Sequence, residues 1–469
     1  MTIRTRKGMI RSIATAGLLS VLMTGSAVAD NLADALVGAY NTSGLLEQNR
    51  ALLRAADEDV ALAVSALRPV IDWTAQVARS SNDQSTSGIQ SNNDITSATL
   101  GLTAELLLFD AGNTRLGIQS AKETVLATRQ ALVSIEQSIL FRAVDAYMSV
   151  IRESEFVALR QNNVRLITQE LRAAQDRFEV GEVTRTDVAL AESRLAESRS
   201  NLATAEGNLI NAQEEYLNAV GKRPGRLSPP PRLPARPASI DAAKAVAVRT
   251  HPDIKQAQHQ IAASELNIMR AEASMKPRLT LNGNLSTNET NSTNYSDSAS
   301  VSLQLRQRIY QGGGLTATLR RSFATRDSLR ANLLNVQENV TQTVALAYVR
   351  SEVAQANLEA TDRRIRAADV AFQGVREEAK LGARTTLDVL DAEQELLDAQ
   401  AARISAQSDQ YSAAYQLLAA QGLLTAQGLR LGVQIYDPTA YYNMVKDAPA
   451  QVSKQGRKLD RVLRALNKE

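Results

Sequence analysis

VGEVTRTDVALAES, from Val180 to Ser193, returns 201 residues later as LGARTTLDVLDAEQ, from Leu381 to Gln394. Held at that offset without a gap, the chain pairs Gly112 with Gly313, Tyr147 with Tyr348, Gly181 with Gly382, Thr184 with Thr385, Asp187 with Asp388, Glu192 with Glu393 and Gly221 with Gly422. Chance register among Ala-rich helices matches Ala and Leu, but not these glycines and the repeated Thr-x-x-Asp. Upstream the offset becomes 208, pairing Thr42 with Thr250 and Pro69 with Pro277, so the first copy carries seven extra residues within a Ser/Asn-rich stretch. The chain reads as two copies of one unit, and a repeat fixes architecture before any motif does.

Proline is absent from Val70 through Arg223 and from Arg278 through Asp437, and crowds between Pro224 and Pro237. The stretches from Gly112 to Val180 and from Gly313 to Leu381 are built of Ala, Leu, Gln, Arg and Glu, strong helix formers. Each predicts a rod of about 100 Å at 1.5 Å per residue. Such a rod has no globular core to lie on and must pack along other helices. Val188, Leu195, Leu202, Leu209 and Tyr216 recur every seven residues, with Ala191, Ala205 and Ala212 between them, a coiled-coil seam that allows close approach. This helix reaches about half the rod. A single helix from Leu32 to Leu67 supplies the other half, with Asp241–Met275 and Thr386–Gly422 doing the same for the second copy. The prolyl linker and the segment after Gly422 then leave at mid-length, as a belt.

Between the helices run period-two stretches, a strand signal. Ile71, Trp73, Ala75 and Val77 alternate with Asp72, Thr74 and Gln76; Leu100 through Leu106, Leu279 through Leu285 and Val301 through Arg306 do the same. The polar stretches SSNDQSTSGIQSNND and STNETNSTNYSDS read as the hairpin loops. One strand face is apolar and the other carries Asp72, Glu105, Arg306 and Arg308, which suits a wall with lipid outside and water inside. A half-buried sheet on a soluble core is the alternative, but no remaining segment supplies that core. About four strands cannot close a barrel when the smallest transmembrane barrels use eight, whereas three copies give twelve.

Arg4, Arg6, Lys7 and Arg11 precede an apolar stretch from Ile13 to Met23 that ends in Ala27-Val28-Ala29, the pattern of an export signal. A membrane anchor is the rival reading, and the stretch is short for it. Removing these four cations takes the formal charge from +3 to −1, so the basic balance gives no support to nucleic-acid binding. There is no cysteine, hence no disulfide, thiolate metal site or cysteine nucleophile. His251 and His259 lie eight apart with no acid cluster converging on them, so both read as structural, and neither metal nor cofactor is expected. Gly312-Gly313-Gly314 lacks the Lys-Ser/Thr of a phosphate loop and reads as a strand-to-helix junction.

Gly181 and Gly382 are placed to end the long helices in left-handed turns, and Thr184–Asp187 and Thr385–Asp388 read as a Thr N-cap with an acid at N3. Capping and function compete for Asp187 and Asp388. Asp391 escapes capping, since its counterpart is Leu190, and its spacing puts it on one helix face with Asp388. Three such pairs about an axis would draw in cations. Paired acids without an activated water, metal or leaving-group partner carry no reaction, so no enzyme is expected. From Lys446 to Glu469 seven Lys or Arg face three Asp or Glu, which reads as a solvated extension near the belt or an electrostatic contact with a partner.

These residues resemble the TolC family of outer membrane channel proteins over essentially the whole chain after residue 29. GARTTLDVLDAEQ after Gly382 is the most specific portion, and LGVQIYDPTAYYNMV from Leu431 is similar to members serving type I protein secretion in alphaproteobacteria. The resemblance implies a homotrimer: a twelve-stranded β-barrel in the outer membrane lipid, continued by a long periplasmic α-helical barrel, a mixed α and β membrane protein. On that reading residues 1–29 are the signal peptide, 30–222 the first repeat, 223–239 the linker, 240–423 the second repeat and 424–469 the equatorial segment and basic tail. It implies a passive duct for proteins or small toxic compounds, opened by a periplasmic adaptor and an inner-membrane transporter. Arg384, Asp388 and Asp391 map to the periplasmic entrance, with Thr186 and Asp187 as partners of the links that hold it shut. The turns Gly181–Thr184 and Gly382–Thr385 map to the adaptor-docking tips. The family's tyrosine three residues before the motif glycine is Ala379 here, and Phe178 in the first copy, so the resemblance does not carry a tyrosine latch over to this chain and implies fewer links at the entrance. The rival reading is a structural periplasmic coiled-coil adaptor or envelope spacer.

Overall fold

The computed structural model describes residues 30–86, 89–291 and 295–466; the export signal lies outside the described residues. Two 67-residue helices dominate, α3 (Asn113–Glu179) and α7 (Gly314–Lys380), each about 100 Å long. Gly112 and Gly313 start them in the left-handed conformation at φ 86° and 80°. Each turns back through a five-residue tip into α4 (Arg185–Val220) or α8 (Thr386–Ala420).

The expected single helix from Leu32 to Leu67 is two, α1 (Leu32–Thr42) and α2 (Gly44–Ser65), and the second copy likewise divides into α5 (Ile240–Thr250) and α6 (Pro252–Ala273). The breaks have local causes. Ser43 is extended and its hydroxyl accepts the Leu46 N–H at 3.3 Å. His251 is extended ahead of Pro252, which cannot donate a helical hydrogen bond, and its Nδ1 accepts from the Asp253 N–H at 3.2 Å.

The stacking of short helices end to end is sealed the same way in both copies. Thr42 donates its hydroxyl to the Val220 carbonyl at 3.0 Å, and Thr250 donates to the Gln421 carbonyl at 2.6 Å. Gly221 and Gly422 follow those carbonyls at φ 82° and 74°, and a Cβ on Gly221 would lie 2.4 Å from the Thr42 hydroxyl, one on Gly422 2.8 Å from the His251 Cα. The paired Thr and Gly of the repeat are therefore one contact. Either glycine changed to alanine is expected to destabilise by about 2 kcal/mol, from left-handed strain plus the clash, read as a lowered thermal midpoint of the detergent-solubilised protein.

The belt forms around this junction. Leu140, Val144, Tyr147, Leu36, Tyr216 and Leu424 share one buried cluster. The linker is fastened by the repeat-equivalent tyrosines: Tyr147 donates to the Ser228 carbonyl at 2.7 Å, and the Arg236 guanidinium lies 5.3 Å over the Tyr348 ring.

Strands β1 (Val70–Thr86), β2 (Ile89–Phe109), β3 (Arg278–Thr290) and β4 (Tyr295–Arg306) form one antiparallel sheet in chain order, with β1 and β4 at its edges. In register, Trp73, Leu102, Leu285 and Ala299 form one row of the apolar face, and Ile71, Ala104, Gly283 and Val301 the next. Trp73 is 71% exposed and Val301 79%, values that fit contact with lipid. Asp72, Thr103, Asn284 and Ser300 row the other face. The polar stretches expected as loops are mostly strand: β1 and β2 stay paired from Ser81↔Asp94 to Thr86↔Ile89, and β3 and β4 from Leu285↔Ala299 to Glu289↔Tyr295. Backbone pairing, once its register is set by the apolar rows, needs no side-chain alternation to continue. Arg308 lies past the end of β4 and donates to Gln311 Oε1 at 3.0 Å.

The tail is not a solvated extension at the belt. It climbs toward the sheet, from the Ala426 N–H on Glu136 at 2.6 Å, through Arg50 stacked between Tyr40 and Tyr436 at 5.0 and 5.1 Å, to Tyr441 donating to Glu58 at 2.6 Å. Helix α9 (Pro438–Val445) and helix α10 (Lys454–Leu466) follow. Leu459 of α10 is buried with Tyr441, Val445 and Ala61, and Arg68, two residues before β1, donates to the carbonyls of Asp447 and Ala448. The expectation failed because a helical period in the last residues, Leu459, Val462 and Leu463, was outweighed by their charge.

Candidate functional site

The two tips share one construction. Gly181 and Gly382 adopt φ 79° and 78°; their N–H groups donate to the Phe178 and Ala379 carbonyls at 3.0 and 3.1 Å. The following N–H of Glu182 or Ala383 reaches back to Arg177 or Glu378 at 2.9 Å, a Schellman closure. Thr184 and Thr385 then open α4 and α8 with full capping boxes. The Thr184 and Thr385 N–H groups donate to Asp187 and Asp388 Oδ2 at 2.9 Å, and the hydroxyls accept from the acids' own N–H at 3.3 and 3.2 Å.

These bonds hold both acids ionised. The Thr184 hydroxyl and backbone N–H lower the Asp187 pKa, and the Thr385 backbone N–H and then its hydroxyl lower that of Asp388. Asp187 and Asp388 thus have a structural task in full.

Arg384 sits in the second tip with Nε donating to Glu378 Oε2 at 2.8 Å, and that bond, more than the Asp388 charge nearby, raises its pKa further. Within one chain it meets neither Thr186 nor Asp187, and Thr186 is exposed. Asp391 lies one helical turn past Asp388 and binds Arg194 of α4 at 3.2 Å; Arg194 also reaches Glu197 at 3.2 Å. Glu378 and Arg194 were missed in the sequence. The signal for Arg194 was its repeat counterpart, Glu395, a reversal of charge at equivalent positions.

Just inside the tips the two hairpins meet. Ile167 of α3, Leu195 of α4 and Leu390 of α8 form a small buried cluster. Beside it Asn163 of α3 donates to Glu393 Oε1 at 2.8 Å, with Glu393 only 3% exposed and its Oε2 without a protein partner. Loss of hydration pushes the Glu393 carboxyl up to about 7, against the opposing pull of the Asn163 amide and the Arg376 charge and with a further push from Glu170. Arg376 of α7 faces Glu170 of α3 at 3.7 Å. Ala379 borders an open groove between α3, α7 and α8, beside Thr386 and Val389 and together with Glu170 and Arg376. Among the described residues no group of His, Asp and Glu converges as a metal site.

The model of the "Outer membrane efflux protein" family matches residues 39–222 and 246–423. The chain belongs to the outer membrane efflux protein family. It is 35% identical over 443 residues to the outer membrane efflux protein BepC of Brucella suis, covering 93% of this chain and 95% of that one. The alkaline protease secretion protein AprF of Pseudomonas aeruginosa is 24% identical over 345 residues, 71% of each chain. The crystal structure of the Campylobacter jejuni CmeC outer membrane channel superposes with a TM-score of 0.74 over 90% of both chains at 16% identity, a likeness of fold. This efflux protein is therefore an outer membrane export component with a helical periplasmic part, a transport protein and not an enzyme. Among the described residues no helix is long and apolar enough to cross a membrane.

Proposed function

We propose that three copies of the chain form a passive export duct across the outer membrane, closed at the helical tips and opened by a periplasmic adaptor and an inner-membrane transporter. The observation that carries this reading is the single four-stranded sheet, apolar on one face and ending in two edge strands, joined to rods of about 100 Å. Edge strands left bare in lipid would each strand a row of backbone groups, and pairing β4 of one copy with β1 of the next removes every edge. Twelve strands then enclose a water-filled lumen lined by the polar rows. The rival adaptor or spacer reading leaves exposed Trp73 and Val301 unexplained. Fractionation separates the two: a heat-sensitive oligomer in the outer membrane supports the duct, and a soluble periplasmic protein removes it.

The tips form the entrance in this proposal, with Arg384, Asp388 and Asp391 nearest the axis. Arg384 uses Nε for Glu378, and its planar fork suits a further bridge to Thr186 and Asp187 of a neighbouring copy. Arg384→Ser should loosen closure and raise single-channel conductance severalfold in planar bilayers. Asp391→Asn should reduce cation selectivity at a cost of at most about 1 kcal/mol, since its ion pair is solvent-exposed. Unchanged conductance in the first and unchanged selectivity in the second would remove the entrance assignment. The turns at Gly181–Thr184 and Gly382–Thr385 are the adaptor-docking surface in this reading. The AprF likeness and the secretion-type tail motif favour protein cargo as one substrate class.

A further inference from the structure

We propose that α10 is an interfacial helix that binds the anionic phospholipid headgroups of the inner leaflet of the outer membrane. Leu459 is buried and Leu463 half-buried against the body of the protein. Lys454, Arg457, Lys458, Arg461 and Arg464 are all exposed, against the single acid Asp460. At 100° per residue the five cations fall within an arc of roughly 120° on the side opposite the leucines. A basic amphipathic helix of this kind is the form that lies on anionic bilayer surfaces.

Position makes the bilayer the occupant. The turn before α10 is fastened to Arg68, which is two residues from the start of β1 and three from Ile71, the first exposed residue of the apolar face. Ala61, which Leu459 covers, is about 10 Å of helical rise below Arg68. A headgroup layer extends roughly 5–8 Å beyond the hydrocarbon, and its potential reaches about 8 Å further at physiological ionic strength. Adding roughly 10 Å of extended chain from Arg68 to Ile71 puts Leu459 up to about 20 Å below the apolar face, a gap that the headgroup layer, its potential and the long Lys and Arg side chains together span. Val452, in the same turn, is 85% exposed, so the turn itself presents an apolar side chain beside the start of β1. The inference rests on the strands being embedded in the outer membrane.

The test uses the full-length trimer in nanodiscs of phosphatidylcholine with or without phosphatidylglycerol. The chain has no cysteine, so Ala465→Cys carries one environment-sensitive label on the exposed side of α10. Spin-labelled phosphatidylglycerol headgroups are expected to quench that label, and phosphatidylglycerol retained through detergent extraction should fall at least tenfold in a variant with Lys454→Gln, Arg457→Gln, Arg461→Gln and Arg464→Gln. Conductance of the variant should stay as in the parent. No quenching, or equal lipid retention by parent and variant, overturns the proposal. Loss of binding to sacculi or to an acidic periplasmic protein, with lipid retention unchanged, also overturns it and makes α10 a partner surface. Failure of the parent itself to insert would instead reject the barrel reading.

Discussion

Gly382→Pro is expected to abolish export while trimers still assemble in the outer membrane. Proline fixes φ near −65°, whereas Gly382 needs 78° and donates its N–H to Ala379. The preceding Leu381, at φ −85° and ψ 2°, would also have to leave the helical region. The local cost is about 3 kcal/mol or more, enough to undo the Schellman closure and with it the placement of Arg384, Thr385 and Asp388. The belt core and the sheet are separated from this turn by α8, about 50 Å of helix, so they should fold as before. Gly382→Ala is the matched control: alanine at positive φ costs only about 1–2 kcal/mol and leaves the capping box intact, so export should be reduced and not lost. Cargo release and crosslinked trimer, measured in the same cells, read both effects. Normal release by the proline variant would show that the tip is not where the partner docks.

Raising the pH from 5 to 8 is expected to loosen the contact between the hairpins, and Glu393→Gln to remove that dependence. The Glu393 pKa is raised from an ordinary 4.5 to about 7 in the fold. The folded state therefore holds the proton more tightly than the unfolded chain does. Its contribution is complete below about pH 4.5 and is lost as pH climbs through about 7, an effect of roughly 3 kcal/mol per chain. Glutamine keeps an acceptor for the Asn163 amide and cannot ionise. Hydrogen exchange along α3 and α8 near the tip, corrected for intrinsic rates, should accelerate with pH in the parent and stay flat in the variant. Parallel slopes would mean that Glu393 is hydrated or paired in the assembled trimer.

Much of this was legible before any coordinates. The proline-free stretches gave the two long helices to within a residue or two, and the Thr-x-x-Asp repeats gave both capping boxes, because helix ends are written by neighbours three or four residues apart. The strand period gave which face of the sheet is apolar. What it hid was the length of β1 and β2, since backbone pairing runs on through Ser81 to Thr86 where side chains no longer alternate. The break at Ser43 was hidden for the same local reason: a serine inside a helix-forming run is compatible with both continuation and a cap. Asp391 was rightly excluded from capping, but its partner Arg194 lies 197 residues away and no local pattern names it.

Glu192 and Glu393 mark the boundary most clearly. The repeat aligns them, and both sit on the helix that follows a tip, so the sequence by itself determined their place in the architecture. It determined the two-repeat plan, the rods, the tips and the apolar wall, all of which follow from periodicity and short-range hydrogen bonding. Only the tertiary structure decided that Glu192 is exposed while Glu393 is buried against Asn163, 230 residues distant, with its pKa raised by lost hydration. Desolvation belongs to the surroundings of a group and not to the group. Here those surroundings are supplied by α3 lying across α8, a contact made between the two copies of the repeat, where their symmetry ends.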